Sequence, residues 1–529
     1  MVIFAKKEQK MIDSAGAKVA KGTFWLALGS GVGTLISALA IVIIARFLGP
    51  NNYGVYSAAL IVSFIFAASD LGINNATTHY ISKNLARNKD FRLYIKAALL
   101  SSLFSGLFFF LIINLSAGYI ASVIFQKNYL TPLITIASFM VFAAALNNVI
   151  RGILLGLERT DFIAFLLIVS SIFRNLFAIM LILLGLGALG AITGQTIGVL
   201  LIMILGLLIV YRQTRYCSSF SDNASFIEII KEMYSYSLPI AGLVFANAIF
   251  QQFYNIIAAR SLSDFIYGNF SAAWVVYGAS MIFVYSLASA LFPSLSKLAA
   301  LDENIVPRNY STAVKYASLV LLPTTIIFVG VPEELIISFY GPDYALAAGF
   351  LRLLSITLFL CVVGVGVTGP ALLSLKRTKT LATVQIVAII ISYLFITFLL
   401  GASSAYVFII GVIVMNLVSA ILGFLVLWHD YGASIDFVFS LKALFSALVA
   451  LGVIYLIKGC IPHPFLAIVI CGFIAVATYA ALIAILGALN ESDYRNLRNY
   501  ARAIPIISKL LLLIIAYMEK IYKRTRSSR

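Results

Sequence analysis

The segment ARFLGPNNYGVYSAA at residues 45–59 recurs as ARSLSDFIYGNFSAA at residues 259–273, at a constant offset of 214 and without gaps. Eight of the fifteen positions are identical, whereas chance at this composition would give about one or two. The two segments are therefore copies of one structural unit. The chain is predicted to contain a repeat that begins near its amino terminus and again near its middle.

A second pair of blocks supports the repeat. LLGLERT at residues 154–160 corresponds to LLSLKRT at residues 372–378, at an offset of 218 that a short insertion explains. Both blocks follow the fourth long apolar segment of their half, and six such segments separate the copies. Because six is an even number, the two halves are predicted to enter a membrane in the same orientation and to be related by an axis along the membrane normal.

The solvent for most of the chain is predicted to be lipid. Of 529 residues, 62% are hydrophobic and only 11% are charged, with a mean hydropathy of +1.04, while soluble domains carry about 25% charged residues. This composition excludes a soluble globule, a disordered chain and a small secreted domain held by disulfides.

Fourteen apolar segments are long enough to cross a bilayer as helices, since about 20 residues span the hydrocarbon core. The predicted fold class is an all-α polytopic membrane protein, built from two parallel six-helix repeats and two extra carboxyl-terminal helices. The segments are residues 23–44, 55–74, 93–114, 130–150, 162–184, 189–210, 236–258, 270–292, 314–331, 348–372, 381–400, 405–428, 441–457 and 465–486.

The basic residues set the predicted orientation. With the amino terminus inside, 31 of the 37 Lys and Arg residues fall on the cytoplasmic side, four fall outside and two lie within segments. Cytoplasmic loops retain positive charge, so both termini are predicted to be cytoplasmic. The net charge of +17 then reflects membrane topology, and no nucleic-acid partner is expected.

The predicted organisation follows from these segments. It comprises a cytoplasmic tail at residues 1–22, an amino-terminal lobe at 23–211, a cytoplasmic linker at 212–235, a carboxyl-terminal lobe at 236–428, two further helices at 429–489 and a basic tail at 490–529. Within the tail, residues 504–517 are apolar but short, which favours a helix at the membrane interface over a fifteenth span.

Ionisable residues inside predicted spans are candidate site residues, because a charge in the bilayer core is costly without a polar partner or cavity. Arg174 lies near the middle of the fifth segment. It either binds an anionic ligand or pairs with a buried carboxylate or with backbone carbonyls. Asp70, near the inner end of the second segment, is either that partner, a coupling-ion site or a purely structural group.

The other candidate substrate-binding residues are polar groups of the first and seventh segments. Asn247, Gln251 and Asn255 recur every four residues on one helical face, which predicts either a substrate cavity or hydrogen bonding between helices. Arg46 and Arg260 occupy equivalent positions of the repeat, at the outer ends of these segments. Their duplication also suits a structural role common to both halves.

Motifs of covalent chemistry are absent from the sequence. There is no phosphate-binding GxxxxGK[ST] loop, no HExxH or Cys/His cluster and no GxSxG nucleophile motif. The predicted outer loops are short and carry few carboxylates. We therefore expect no enzymatic activity, no cofactor and no metal site.

Three motifs resemble a known family: ARFLGPNNYGVY at residues 45–56, SDLGI at 69–73 and RGILLG at 151–156. They are similar to the polysaccharide-transporter branch of the multidrug/oligosaccharidyl-lipid/polysaccharide (MOP) exporter superfamily, the O-antigen flippases. The resemblance implies a V-shaped pair of six-helix lobes that works by alternating access. It also implies that a cation in the central cavity faces the phosphate of a lipid carrier, a role that Arg174 fits by type and depth.

The function predicted on these grounds is a flippase for a polyprenyl phosphate- or diphosphate-linked oligosaccharide in the cytoplasmic membrane. Expected partners are this substrate, membrane lipids and, through functional coupling, glycosyltransferases. A cation-coupled multidrug exporter of the same superfamily is the alternative, although it would favour buried acidic residues over arginine. A membrane-embedded glycan polymerase or ligase is a further alternative from a different class.

Overall fold

The structure is a computed structural model that describes residues 2–87, 89–215, 225–280, 305–375, 377–399, 405–503 and 508–527. Within these ranges the chain forms helices joined by short turns, and no strand occurs there. Ten stretches of described helix are long and apolar enough to cross a membrane. The predicted all-α polytopic fold is confirmed.

The number of spans is not fixed by these stretches. Two of them, residues 21–86 and 160–214, each contain two of the predicted segments. The predicted eighth segment extends outside the described residues. The count of fourteen therefore stays a prediction.

Contacts divide the chain into two compact units, residues 1–268 and 269–529. The helices of the first unit are α1 (Val2–Ile65), α2 (Ile73–Ala86), α3 (Arg92–Tyr119), α4 (Thr131–Gly156), α5 (Thr160–Leu181), α6 (Gly187–Thr214) and α7 (Phe226–Ser261). Helix α8 begins at residue 264 and is described as far as residue 280. The first unit thus includes the seventh helix, which the sequence assigns to the second lobe.

The second unit continues with ten further described helices. They are α9 (Ile305–Gly330), α10 (Pro332–Tyr340), α11 (Ala345–Phe359), α12 (Thr368–Ser374), α13 (Thr378–Leu399), α14 (Ala405–Tyr431), α15 (Phe437–Lys458), α16 (Pro464–Ile485), α17 (Glu491–Ala503) and α18 (Ser508–Ser527). The predicted interfacial segment 504–517 begins outside the described residues, and its helix α18 continues well beyond the predicted end, to Ser527.

The first two predicted segments differ from the observed helices in two ways. They are joined in α1, which is kinked at Gly49 (φ 67°, ψ 167°) directly before Pro50. The predicted second segment is also not continuous, because α1 passes into a 3₁₀ helix at Phe66–Ala68 and then a turn before α2. Leu71 (φ 51°) and Gly72 (φ 72°) take the left-handed conformation that ends the helix there.

The sequence repeat is a structural repeat. Helices α5 and α13 begin and end at the offset of 218, and α6 and α14 begin at the same offset. The short 3₁₀ helices Asn128–Leu130 and Pro342–Tyr344, and the helices that follow them, begin at the offset of 214. Both offsets found in the sequence therefore describe equivalent elements.

The change of offset from 214 to 218 has a definite location. In the first copy α4 is one continuous helix, whereas its counterpart is split into α11, a 3₁₀ helix at Leu360–Val363 and α12. Gly364 (φ 97°) and Gly366 (φ 84°) occupy the break. The predicted short insertion therefore lies where the second copy of this helix is broken.

Equivalent arginines anchor the loop after the fourth helix in each copy. The backbone N–H of Arg159 donates to Leu154 O at 2.8 Å, and that of Arg377 donates to Leu372 O at 2.9 Å. The side chain of Arg159 donates to Gln213, and that of Arg377 donates to Tyr431 Oη, which is the equivalent position of the second copy. The repeated LL-x-L-x-RT block therefore fastens this loop to the end of the sixth helix of its own copy.

The repeated glycines Gly54 and Gly268 pack backbone to backbone. A Cβ atom on Gly54 would overlap the carbonyl oxygen of Asp264, and one on Gly268 would overlap the carbonyl oxygen of Pro50. Pro50 and Asp264 are themselves equivalent in the repeat, so the contact is reciprocal. Small residues permit such close approach between membrane helices, where apolar burial gives little drive for association.

Asp264, which contacts Gly54, also forms an ion pair. Lys127 Nζ lies 2.7 Å from Asp264 Oδ1 and donates to the carbonyl of Leu262 at 2.9 Å. The hydroxyl of Tyr129 donates to the other carboxylate oxygen of Asp264. Residues between α3 and α4 therefore hold the start of the second repeat against the first.

We expect Gly54→Ala to lower the free energy of unfolding by about 2 kcal/mol, because the added methyl group displaces backbone that cannot yield cheaply. The measurement is the Tm of the purified protein in detergent. Gly31→Ala is the matched control, since a Cβ at Gly31 meets no atom within 4 Å and Ala favours the helix by about 1 kcal/mol. Equal Tm values for the two variants would contradict this account of the contact.

Candidate functional site

Three polar side chains from different helices meet inside the first unit. Tyr56 of α1 and Gln195 of α6 are buried, and Gln195 Nε2 donates to the Tyr56 hydroxyl. Arg174 of α5 is close enough for its charge to act on Tyr56. We call Tyr56, Arg174 and Gln195 the Arg174 cluster.

The Arg174 cluster is not satisfied internally. Arg174 Nε and Gln195 Oε1 are buried atoms without a hydrogen-bond partner. Arg174 makes no ion pair within the described part of the chain, so the predicted pairing with a buried carboxylate is not found. Arg174 is half-buried, and an uncompensated guanidinium within a membrane span is costly, so such groups generally face a cavity or a ligand.

The close packing of α5 on α6 places this arginine. A Cβ atom on Gly198 would lie 2.6 Å from the backbone nitrogen of Arg174, and Gly194 and Gly190 make similar contacts one and two turns earlier. The small-xxx-small spacing in the sixth segment is therefore a packing feature. It fixes the backbone from which the Arg174 side chain extends.

Arg352, the other arginine within a predicted span, has a different environment. Its Nη2 lies 2.6 Å from Glu333 Oε1, and its Nε donates to the carbonyl of Val329 at 3.3 Å. Lys458 lies 3.7 Å from the same carboxylate. The second unit thus neutralises its intramembrane arginine, whereas the first unit leaves Arg174 without a counter-ion among the described residues.

Asp70 lies in the turn that separates α1 from α2. Its side chain is buried; Oδ1 accepts from Asn148 Nδ2 at 3.0 Å and Oδ2 accepts from the backbone N–H of Asn74 at 3.1 Å. Asn148 also donates to the carbonyl of Ala67 at 2.9 Å. Asp70 therefore caps the start of α2 and ties the break to α4, and it does not contact Arg174.

Residues of the predicted polar face of α7 have unequal environments. Gln251 is exposed and Asn255 is half-buried, with Asn255 Nδ2 donating to Gln252 Oε1 at 2.9 Å within the same helix. The side chain of Asn247 lies outside the described residues. Arg46 and Arg260 are exposed at equivalent positions of the repeat. The described side chains of this set, those of Gln251, Asn255, Arg46 and Arg260, do not join the Arg174 cluster.

Tyr56 and Gln195 are the site residues that the sequence did not single out. Tyr56 belongs to the repeated segment, and its counterpart in the second copy is Phe270. Gln195 is a lone amide in a strongly apolar segment, which is a detectable signal for a buried polar contact. Its partner could be found only from the packing of α1 on α6.

Comparisons with solved structures define the class of fold. The lipid II flippase MurJ, in an inward closed conformation, is 17% identical, with 87% of this chain and 98% of that chain covered and a TM-score of 0.64. An inward-facing multidrug resistance MATE family transporter of the MOP superfamily is 18% identical, with 76% and 96% covered and a TM-score of 0.59. A MOP superfamily transporter from Pyrococcus furiosus is 18% identical, with 77% and 94% covered and a TM-score of 0.54.

The chain therefore has the fold of the MOP superfamily of transporters. The family described as polysaccharide biosynthesis protein matches residues 19–299, more than half of the sequence, and the chain belongs to that family. The resemblance to the polysaccharide-transporter branch is confirmed. No match was found among curated proteins.

If the polar face of α7 lines a water-filled cavity, cysteine at position 251, where Gln251 is not covered by protein, should react with a membrane-impermeant thiol reagent, and cysteine at position 254 should be protected, because Tyr254 is 5% exposed. The variants Gln251→Cys and Tyr254→Cys are made in a background without native cysteines, since Cys460 is exposed. The labelled fraction is measured in membrane vesicles. Protection at both positions would show that this face of α7 meets lipid or protein instead of water.

Proposed function

We propose that the protein is a flippase that moves a polyprenyl phosphate- or diphosphate-linked oligosaccharide across the cytoplasmic membrane by alternating access. The observation that carries the proposal is the buried Arg174 Nε without a partner, in a family of polysaccharide biosynthesis proteins with a transporter fold. A guanidinium presents several donors in a fixed plane that suits phosphate oxygens. An anionic headgroup would supply the missing counter-charge.

The remaining members of the Arg174 cluster complement this role. Tyr56 is held by Gln195, whose Oε1 is a buried acceptor without a donor. A hydroxyl or N–H group of the headgroup would satisfy it. Flipping then requires no covalent chemistry, only two states of the protein that expose the headgroup to opposite sides.

The location and orientation belong to the same proposal. The excess of Lys and Arg in alternate loops favours both termini in the cytoplasm. The substrate would be loaded from the inner leaflet, where glycosyltransferases build it, while the polyprenyl chain stays in the bilayer. Arg46, Arg260 and the polar residues 247, 251 and 255 of α7 are proposed as further substrate contacts.

Arg174→Ala is expected to reduce flipping about 10- to 100-fold, the loss typical of one charge-assisted contact. Arg174→Lys should retain part of the activity, because it keeps a cation without the planar donor set. The assay is the accessibility of lipid-linked oligosaccharide on the outer face of proteoliposomes. Full activity of Arg174→Ala would remove Arg174 from the site.

The Tm of the same proteins separates a ligand role from a structural one. Arg174→Ala should have a Tm no lower than that of the unaltered protein, because no observed partner is lost. Arg352→Ala is the matched control, and its Tm should fall because it breaks the ion pair with Glu333. A large fall in Tm for Arg174→Ala together with loss of flipping would indicate a structural arginine.

A second candidate, a cation-coupled multidrug exporter, is favoured by one observation. Asp70 is a buried carboxylate at a helix break, and the fold is shared with a multidrug transporter. Both of its oxygens already accept hydrogen bonds from the protein. This arrangement supports a capping role for Asp70 more strongly than a coupling-ion site.

Asp70→Asn is therefore expected to lower the free energy of unfolding by about 1.5–3 kcal/mol, the value of a hydrogen bond to a charged group. Tm in detergent is the measurement, and the control for the loss of a polar contact to α4 is Thr78→Val, which removes a half-buried hydroxyl of α2 that donates to Asn74 O and Gly152 O. An unchanged Tm combined with loss of ion-driven drug transport would instead favour the multidrug exporter.

A further inference from the structure

Helices α17 and α18 enclose a basic pocket that the proposed function does not use. The pocket has a volume of about 480 Å³. Four cationic side chains line it together with two carboxylates, and the cations are Arg495, Arg498, Arg502 and Lys523. The pocket therefore carries an excess of positive charge.

One of the four cations is already neutralised. Arg498 forms a two-pronged ion pair with Glu519, in which its Nε donates to Oε1 at 2.9 Å and its Nη2 donates to both carboxylate oxygens. This pair joins α17 to α18. Arg495, Arg502 and Lys523 make no ion pair within the described part of the chain, so their charges are available to a ligand.

A tyrosine with a buried hydroxyl also lines the same pocket. Tyr494 is 3% exposed and its Oη is a buried atom without a hydrogen-bond partner. Burial, and then the neighbouring Tyr522, Glu519 and Asp493, raise the pKa of Tyr494. The hydroxyl therefore keeps its proton at neutral pH and can donate to an anion.

The pocket lies where a membrane surface is expected. Helix α16 is one of the candidate spans, and α17 begins six residues after its end. Helix α18 packs against both α16 and α17. Leu510, Leu513 and Tyr517 of α18 are exposed at spacings of three and four residues, which leaves an apolar stripe on one face.

We propose that the pocket between α17 and α18 binds the phosphate of an anionic phospholipid headgroup, with the acyl chains along the apolar stripe of α18. Besides the Arg498–Glu519 pair, three cations and one carboxylate, Glu491, line the pocket, and this excess of positive charge suits a phosphate anion. A free phosphate would use the same donors but would leave the stripe exposed. Basic pockets beside membrane helices are a recognised form of lipid binding site.

The test compares two charge-matched double variants of the full-length protein. Arg495→Gln with Lys523→Gln removes two cations from the pocket, and Lys509→Gln with Lys520→Gln removes two exposed cations of α18 that do not line it. Binding of phosphatidylglycerol is measured by native mass spectrometry in detergent. At about fivefold per cation, the pocket variant should bind about 25-fold more weakly, and the control variant should bind as the unaltered protein does.

Tyr494→Phe provides a second variant that does not disturb a hydrogen bond. It should weaken phosphatidylglycerol binding several-fold while leaving the Tm unchanged. Equal loss of binding in the two charge-matched variants would overturn the proposal, because it would show diffuse attraction to a basic helix. Equal binding of phosphatidylcholine, or displacement of the lipid by about 1 mM inorganic phosphate, chosen as about a thousandfold excess over a micromolar Kd, would also overturn it.

Discussion

In hydrocarbon, helices gain little from burying apolar side chains against one another, so their association depends on close backbone packing and on polar contacts. This protein meets that constraint with glycine. Gly54 and Gly268 pack reciprocally between equivalent positions of the repeat, and Gly198 brings α6 onto the backbone of Arg174. The contact between the repeated glycines and the contact that positions Arg174 therefore both depend on close backbone packing at glycine.

Burying a polar group among such helices costs free energy unless the group has a partner. The two units differ in which of their buried polar groups have partners. In the second unit Arg352 is paired with Glu333, and Lys458 supports the same carboxylate. In the first unit Asp70 is satisfied by Asn148 and the start of α2, so it is not available to Arg174. Arg174 of the first unit thus has no counter-ion among the described residues, and close helix packing fixes its backbone.

Much of the fold could be predicted from the sequence, because hydropathy and an ungapped repeat are local signals. They predicted the helical class, the equivalence of α5 with α13 and the insertion that separates the two offsets. The break after Ile65 could not be predicted, since it depends on a left-handed turn at Leu71 that Asn148 stabilises from α4. The sequence could not predict that Arg174 has no partner among the described residues either, because this depends on which side chains the helix packing brings together.

The repeat itself indicates which residues serve the fold and which serve a site. Residues that fasten the loops occur in both copies, as Arg159 and Arg377 do. The Arg174 cluster occurs in one copy only: at the offsets set by the helix bounds, the counterparts of Tyr56, Arg174 and Gln195 are Phe270, Ser392 and Ile413. The second copy folds with Phe270, Ser392 and Ile413 at these positions. Helix packing in the repeat therefore does not require the polar side chains that the first copy has there. This difference between the copies supports the proposal that the Arg174 cluster serves a ligand, because helix packing alone does not account for the cost of these polar groups.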